Sequence, residues 1–298
     1  MVVEELLISR DNPAGFFSNF LWVLAGLDCA EKTEKKPVVS LKKVTRPAGV
    51  LTTLMGRNII PYDFNDYFTL KKPGIRAMSA FDVSIPVSEP QDAYTFMGAG
   101  PVELGHIYRR NLRITDWVQE VLEDVRETLG LNSGKYISVH SRYSDMRWHP
   151  SHPTPPHPKQ ILAASLSEMD ELNKNVLFIS ADNPKVVRTF SKAHSATALI
   201  LSLDRYQGKF KEKLKDDPNL EVLIEALIHS ESESLVHSSS SVSFAARVLR
   251  QTDAWRRVSL NCGTNPSNLP GAIISSYRRS VTAAMGSTRC QQLIFNTR

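Results

Sequence analysis

The sequence predicts an α/β chain in two domains, each built on a parallel sheet flanked by helices. Three observations carry this. The 298 residues exceed one ordinary small domain and suffice for two cores. The opening forty residues read as strand, glycine-bearing turn, helix and strand, a βαβ unit that implies parallel strands. The second half repeats the rhythm with NVLFIS and ALILSLD, continuous apolar runs of the kind buried on both faces of a parallel sheet.

In chain order, VVEELLI is the first strand and SRDNPAGF a turn rich in Asn, Pro and Gly. Phe20, Leu21, Val23, Leu24, Leu27 and Ala30 then recur at helical spacing, and the pattern stops at Lys35, Lys36 and Pro37. Val38, Val39 and Leu41 make the second strand. Residues 42–112 are rich in Pro, Gly and aromatics and read as irregular structure with short helices. A helix follows with Ile114, Trp117, Val118, Val121, Leu122 and Val125 on one face, Thr115 as its start and Gly130 as its end. The expected boundary falls near Leu131 and Asn132, giving domains 1–131 and 132–298.

Beyond it, YISVHSR is a strand, and the following loop, 146–158, holds five prolines and three histidines. Ile161, Leu162, Ser165, Leu166, Met169 and Leu172 mark a helix. Asn183 caps the next one, with Pro184 in its first turn. Leu220, Val222, Leu223, Ala226 and Leu227 mark another, and SLVH is a short strand running into a serine cluster and the helix VSFAARVL. From about Asp253 the periodicity is too weak to place elements.

Composition narrows the function classes. Hydrophobic residues make up 42% and charged residues 22%, the ordinary globular range. No apolar run approaches the roughly 20 residues of a membrane span, and MVVEELLISRD does not read as a secretory signal. Cys29, Cys262 and Cys290 fit neither a disulfide framework nor a paired metal pattern, so the expectation is reduced thiols in a cytoplasmic protein, or in the soluble part of an enzyme anchored elsewhere. A net charge of +5 suits an anionic ligand such as a diphosphate and is too mild for a nucleic-acid footprint.

Three features could carry chemistry. His140, Ser141, Arg142 and Asp145 stand at the carboxyl end of a strand, where open parallel sheets bind ligands. An arginine there can grip two phosphate oxygens through its planar fork, and an ordinary strand end with a surface ion pair is the plain alternative. Ser238 to Ser241 precede a helix, where serines cap free N–H groups and the same groups bind phosphate; a low-complexity serine loop is the alternative. Gly15 and Phe16 follow the first strand, where glycine lets backbone approach a ligand, although a simple strand-to-helix turn reads the same way. His149, His152 and His157 lack helical metal spacing, so no metal site is expected. No GxSxG, HExxH or DxD motif is present.

The order of these segments resembles the fucosyltransferase-like superfamily of α1,6-fucosyltransferases, nodulation fucosyltransferases and protein O-fucosyltransferases. YISVHSRYSD looks like its HxRxxD strand end, and NVLFISADNPKVV is similar to its next strand and helix start. EALIHSESESLVHSSSSVSFAARVL resembles its acidic-to-serine block, and SRDNPAGFFSNFLWVLAGLDCAEKTEKKPVV its glycine-loop unit. Together these blocks cover about half the chain.

The resemblance implies two Rossmann-like domains of the GT-B glycosyltransferase type, with the donor on the second. It implies a metal-independent, inverting transfer of a sugar, fucose from GDP-fucose first, to a glycan or glycoconjugate, with no cofactor. By position, Arg142 would hold the diphosphate and stabilise the leaving GDP, and His140 would contact the donor. Ser240 and Ser241 would bind phosphate, and Asp182 would shape the site. Glu225 falls where the family often has a guanine-reading aspartate, a substitution that leaves another nucleotide sugar open as donor. Asp11 is a candidate general base. A non-catalytic nucleotide- or sugar-binding module and a scaffold without a nucleotide site are the competing classes.

Overall fold

The computed structural model describes residues 5–9, 16–40, 63–71, 100–143, 155–193, 198–238, 240–252, 255–261 and 291–297. By packing they sort into two units. One gathers residues 1–123, 210–224 and 247–251, the other 124–209, 225–246 and 252–298.

The first unit contains the βαβ unit read from sequence. Strand β1 (Glu5–Ser9) pairs in parallel with β2 (Lys36–Ser40), and α1 (Phe16–Lys32) joins them. Helix α1 lies so close on β1 that a Cβ at Gly26 would stand 2.7 Å from the Ile8 side chain, so only glycine fits there without displacing the isoleucine. Its aromatic face packs on the short α2 (Phe64–Tyr67) and β3 (Phe68–Leu70). Phe20 stacks on Phe68 at 4.9 Å, and Phe64 stacks on the same ring at 4.9 Å. Strand β3 pairs antiparallel with β4 (Leu112–Ile114), which follows α3 (Pro101–Asn111).

Helix α4 (Asp116–Leu129) ends as expected at Gly130, whose φ of +68° admits glycine readily. The Leu131 N–H closes the turn on the Arg126 carbonyl at 2.8 Å. At the other end the Thr115 hydroxyl donates to the Asp66 carbonyl.

The second unit is a six-stranded sheet in the order β7-β6-β5-β8-β9-β10. The strands are β5 (Ile137–Ser141), β6 (Val176–Ala181), β7 (Leu199–Leu201), β8 (Ser234–His237), β9 (Trp255–Asn261) and β10 (Gln291–Thr297). The first five are mutually parallel, and β10 runs antiparallel along β9. Helices α5 (Pro158–Glu171) and α6 (Pro184–Ala193) cover one face. There Ile137, Val139, Leu177, Ile179, Val236 and Val258 meet Ile161, Met169, Val186 and Phe190 in one buried cluster. Full burial of each such side chain contributes about 1.5–3 kcal/mol against exposure.

After β7 come the short α7 (Lys211–Asp216), then α8 (Pro218–Glu231) and, beyond β8, α9 (Ser241–Leu249). Helix α8 reaches the other face, where His229 approaches Phe178 and Ser180, and Ala246 of α9 packs with Leu235 and Trp255. The chain is therefore an α/β fold with a five-stranded parallel sheet between helices. Strands β9 and β10 occupy the stretch after Asp253 that sequence periodicity left unplaced.

Candidate functional site

The strand order reverses at one point in the sheet, between β5 and β8. From β5 the chain winds outward through β6 and β7, then returns to the far side of β5 as β8. Connections leave β5 and β8 in opposite directions, the arrangement in which open α/β sheets form a crevice at the carboxyl ends of the strands. Arg142 follows β5 directly, and the serine cluster follows β8. The two loops are tied together: the Arg142 N–H donates to the Ser238 hydroxyl at 3.2 Å, and the Ser238 N–H donates to the His140 carbonyl at 3.3 Å.

The serines build a helix start. Ser240 is the cap: its hydroxyl oxygen accepts from the Ser243 N–H at 3.0 Å, and its own N–H donates to the Ser243 hydroxyl at 3.1 Å. This reciprocal pair leaves the N–H groups of Ser241 and Val242 without an acceptor among the described residues at the head of α9. Such groups attract an anion through their partial positive charge. Ser240 thus shapes the helix head through its hydroxyl, and Ser241 offers its backbone. Ser239 lies outside the described residues.

Asp182 follows β6 and accepts from the Tyr143 N–H at 2.6 Å, bracing the loop that carries Arg142. His140 is buried, 4% exposed, with Nδ1 2.9 Å from the Ser180 hydroxyl. Burial above all, then the neighbouring His229, Arg142 and His237, hold its pKa well below the ordinary imidazole value. It is neutral in the folded protein. Glu225 sits half-buried on α8, one turn before His229. A helix leading back to a parallel strand runs against the strand direction, so Glu225 lies nearer the carboxyl ends of the sheet than His229 does.

Phe16 opens α1 in the first unit, and its ring is buried against Phe17, Tyr67 and Phe68. Its side chain serves the aromatic core. Gly15, Asp11, Asp145, His149 and His152 lie outside the described residues. His157 is a helix cap: Nδ1 accepts from the Lys159 N–H, and its own N–H donates to Gln160 Oε1 at 2.8 Å. Among the described residues no three His, Cys, Asp or Glu side chains cluster as metal ligands, and no helix is long and apolar enough to cross a membrane.

Sequence reasoning missed Ser180 and His229. Their signal was present only as parity along strands. Ser180, His140, His237 and Ser259 are register partners on four adjacent strands, β6, β5, β8 and β9. They form one buried polar row on the face that α8 covers.

No protein-family model and no curated protein matches the sequence. Solved structures do match in fold. NodZ α-1,6-fucosyltransferase soaked with GDP-fucose superposes at a TM-score of 0.55 and 10% identity, covering 100% of both chains. Fucosyltransferase NodZ from Bradyrhizobium matches at a TM-score of 0.54 and 12% identity, over 90% of this chain and 98% of that one. A point mutant of Arabidopsis thaliana FUT1 in complex with GDP matches at 0.54 and 13% identity, over 90% of this chain and 72% of its own. The chain has the fucosyltransferase-like, GT-B-like fold.

Proposed function

We propose that this chain is a glycosyltransferase that transfers fucose from GDP-fucose to a glycan or glycoconjugate, without a metal and with inversion at the anomeric carbon. The observation that carries the reading is the tied pair of strand ends at β5 and β8. There Arg142, through its backbone, is bonded to Ser238, and α9 presents the open N–H groups of Ser241 and Val242. A cation and a helix head on adjoining loops suit a diphosphate. The matched NodZ and FUT1 structures were obtained with GDP-fucose and GDP.

The chemistry follows from charge. As the sugar–phosphate bond breaks, negative charge builds on the departing diphosphate while the sugar becomes oxocarbenium-like. The loop that carries Arg142 and the α9 N–H groups are tied in place before the reaction, which lessens the reorganisation needed as that charge appears. His140 contacts the nucleotide as a neutral hydrogen-bonding group. Glu225 keeps a carboxylate for the guanine N1–H and exocyclic amine, one methylene further out than aspartate. Residues 132–298 form the donor half and 1–131 the acceptor side, with Gly15 and Phe16 at the turn into α1 and Asp11 as candidate base.

The Glu225 side chain also motivates a second reading, the same fold with a different nucleotide-sugar donor. A thermal-shift panel of GDP, UDP, ADP and their sugars decides between them. A ligand at a hundred times its Kd stabilises the folded state by about 2.7 kcal/mol. Stabilisation by GDP and turnover of GDP-fucose, with turnover reduced about 10²-fold or more in Arg142→Ala, supports the first reading. Preference for a UDP-sugar selects the second. GDP binding with no turnover of any donor points to a binding module, and no shift with any nucleotide ends the proposal.

A further inference from the structure

Helix α5 begins on an unusual cap, a histidine. Pro158 brings no N–H to the first turn, and those of Gln160 and Ile161 reach the His157 carbonyl at 2.8 and 3.2 Å. The Lys159 N–H remains, and it donates to His157 Nδ1 at 3.3 Å. The pairing is reciprocal, because the His157 N–H donates to Gln160 Oε1 at 2.8 Å.

A backbone N–H can only donate, so Nδ1 holds a lone pair and the neutral ring carries its proton on Nε2. Serine, threonine, aspartate and asparagine, the usual caps, present oxygens. An imidazole nitrogen accepts only while it is unprotonated, and imidazole is the side chain that ordinarily changes charge between pH 5 and 8. A proton on Nδ1 turns the acceptor into a donor aimed at another donor. It also sets a full positive charge at the positive end of a helix.

The charged groups near the ring, among the described residues, are Lys185 on α6 and Lys159 on α5, both cations. Burial first, then Lys185 and Lys159, hold the His157 pKa below the ordinary 6.5. The unfolded chain therefore takes up this proton more readily than the folded chain. The stability that the cap contributes is complete above pH 6.5 and declines below it until the folded pKa is passed. Helix α5 connects the parallel strands β5 and β6, so it runs against them and its head stands at their carboxyl ends.

We propose that His157 is an acid-sensitive cap: the neutral ring closes the first turn of α5, and protonation of Nδ1 opens it, at the end of the sheet that carries Arg142. The cap works without a ligand, so it stands or falls apart from the proposed function.

Long-range proton–nitrogen correlation NMR on the full chain with isotope-labelled histidine, assigned through His157→Asn, reads the ring between pH 8 and pH 4. At pH 8 we expect a neutral His157 with its proton on Nε2. On acidification the Lys159 amide resonance should move with the same midpoint as the ring, below 6.5. Asparagine keeps a side-chain oxygen that caps and does not titrate, and the other titrating groups are common to both proteins. In urea unfolding, the ratio of the wild-type unfolding constant to that of His157→Asn should therefore rise about fivefold between pH 7 and pH 4, the worth of a typical cap. His157→Ser, a second cap that does not titrate, should give the same profile and serves where the asparagine variant folds poorly. A neutral ring protonated on Nδ1 at pH 8, a Lys159 amide that does not follow the ring, or a ratio that stays flat would each overturn the proposal.

Discussion

The Arg142 backbone N–H donates to the Ser238 hydroxyl at 3.2 Å, which joins the end of β5 to the end of β8 at the point where the strand order reverses. Through this bond the loop bearing the arginine is held relative to the head of α9.

Replacing Ser238 by Ala removes the hydroxyl that accepts from the Arg142 N–H. We expect a loss of about 1 kcal/mol in folding stability by chemical denaturation. GDP affinity should fall several-fold although no charged group is touched, because the loop that presents Arg142 is no longer fixed. Unchanged affinity by calorimetry would show that the loop holds its place without this bond.

Arg142→Lys keeps the charge and loses the fork. A lysine ammonium is a point charge with rotating donors, whereas guanidinium can engage two diphosphate oxygens at once. Turnover of the donor should drop by about 10²-fold, close to the effect of losing an aligned transition-state donor, while GDP binding weakens far less. A lysine variant with wild-type turnover would mean that charge alone suffices at this position.

Much of this fold was legible because parallel-sheet strands and their helices carry strong patterns. NVLFIS and SLVH read correctly as strands, and Asn183 caps α6, accepting from the Lys185 N–H at 2.9 Å. Strand β9 was not legible. Its residues Trp255, Arg257, Val258, Ser259 and Leu260 are all buried, so inward and outward positions do not alternate in polarity. Arg256, half-buried on the same strand, reads as surface until its carboxylate partners on α5 are seen. The placement of Arg142 at a strand end and of the serines at a helix start was legible because both features are local. The Ser180–His229 pairing was not, because it joins residues 49 apart in sequence across β6 and α8.

The Arg256–Glu168 pair should matter far more than the contact beside it. Glu168 is 2% exposed and accepts from Arg256 Nε at 2.6 Å, from Arg256 Nη2 at 3.0 Å and from the Ser234 hydroxyl at 2.5 Å. Arg256→Ala strands a buried carboxylate and should cost about 3–5 kcal/mol in urea unfolding. Glu171 also meets Arg256, at 2.5 Å, but its side chain is 54% exposed, so Glu171→Gln should cost about 1 kcal/mol or less. Equal effects from the two substitutions would contradict the burial of Glu168.

Two of the buried histidines, His140 and His229, make the fold less stable in acid. His140 and His229 have folded pKa values below the ordinary 6.5, His229 at about 3. The unfolded chain therefore binds more protons than the folded chain between about 3 and 6.5. Stability is complete above pH 6.5 and declines as pH falls through that window, by up to about 1.4 kcal/mol per pH unit for each histidine. His229→Gln removes one titrating ring while keeping an amide that can donate to Ser180. Its stability should fall less steeply between pH 6 and pH 4 than that of the wild type, measured by urea midpoints across that range. Parallel curves for the two proteins would mean that His229 is protonated, or reached by water, in the folded state.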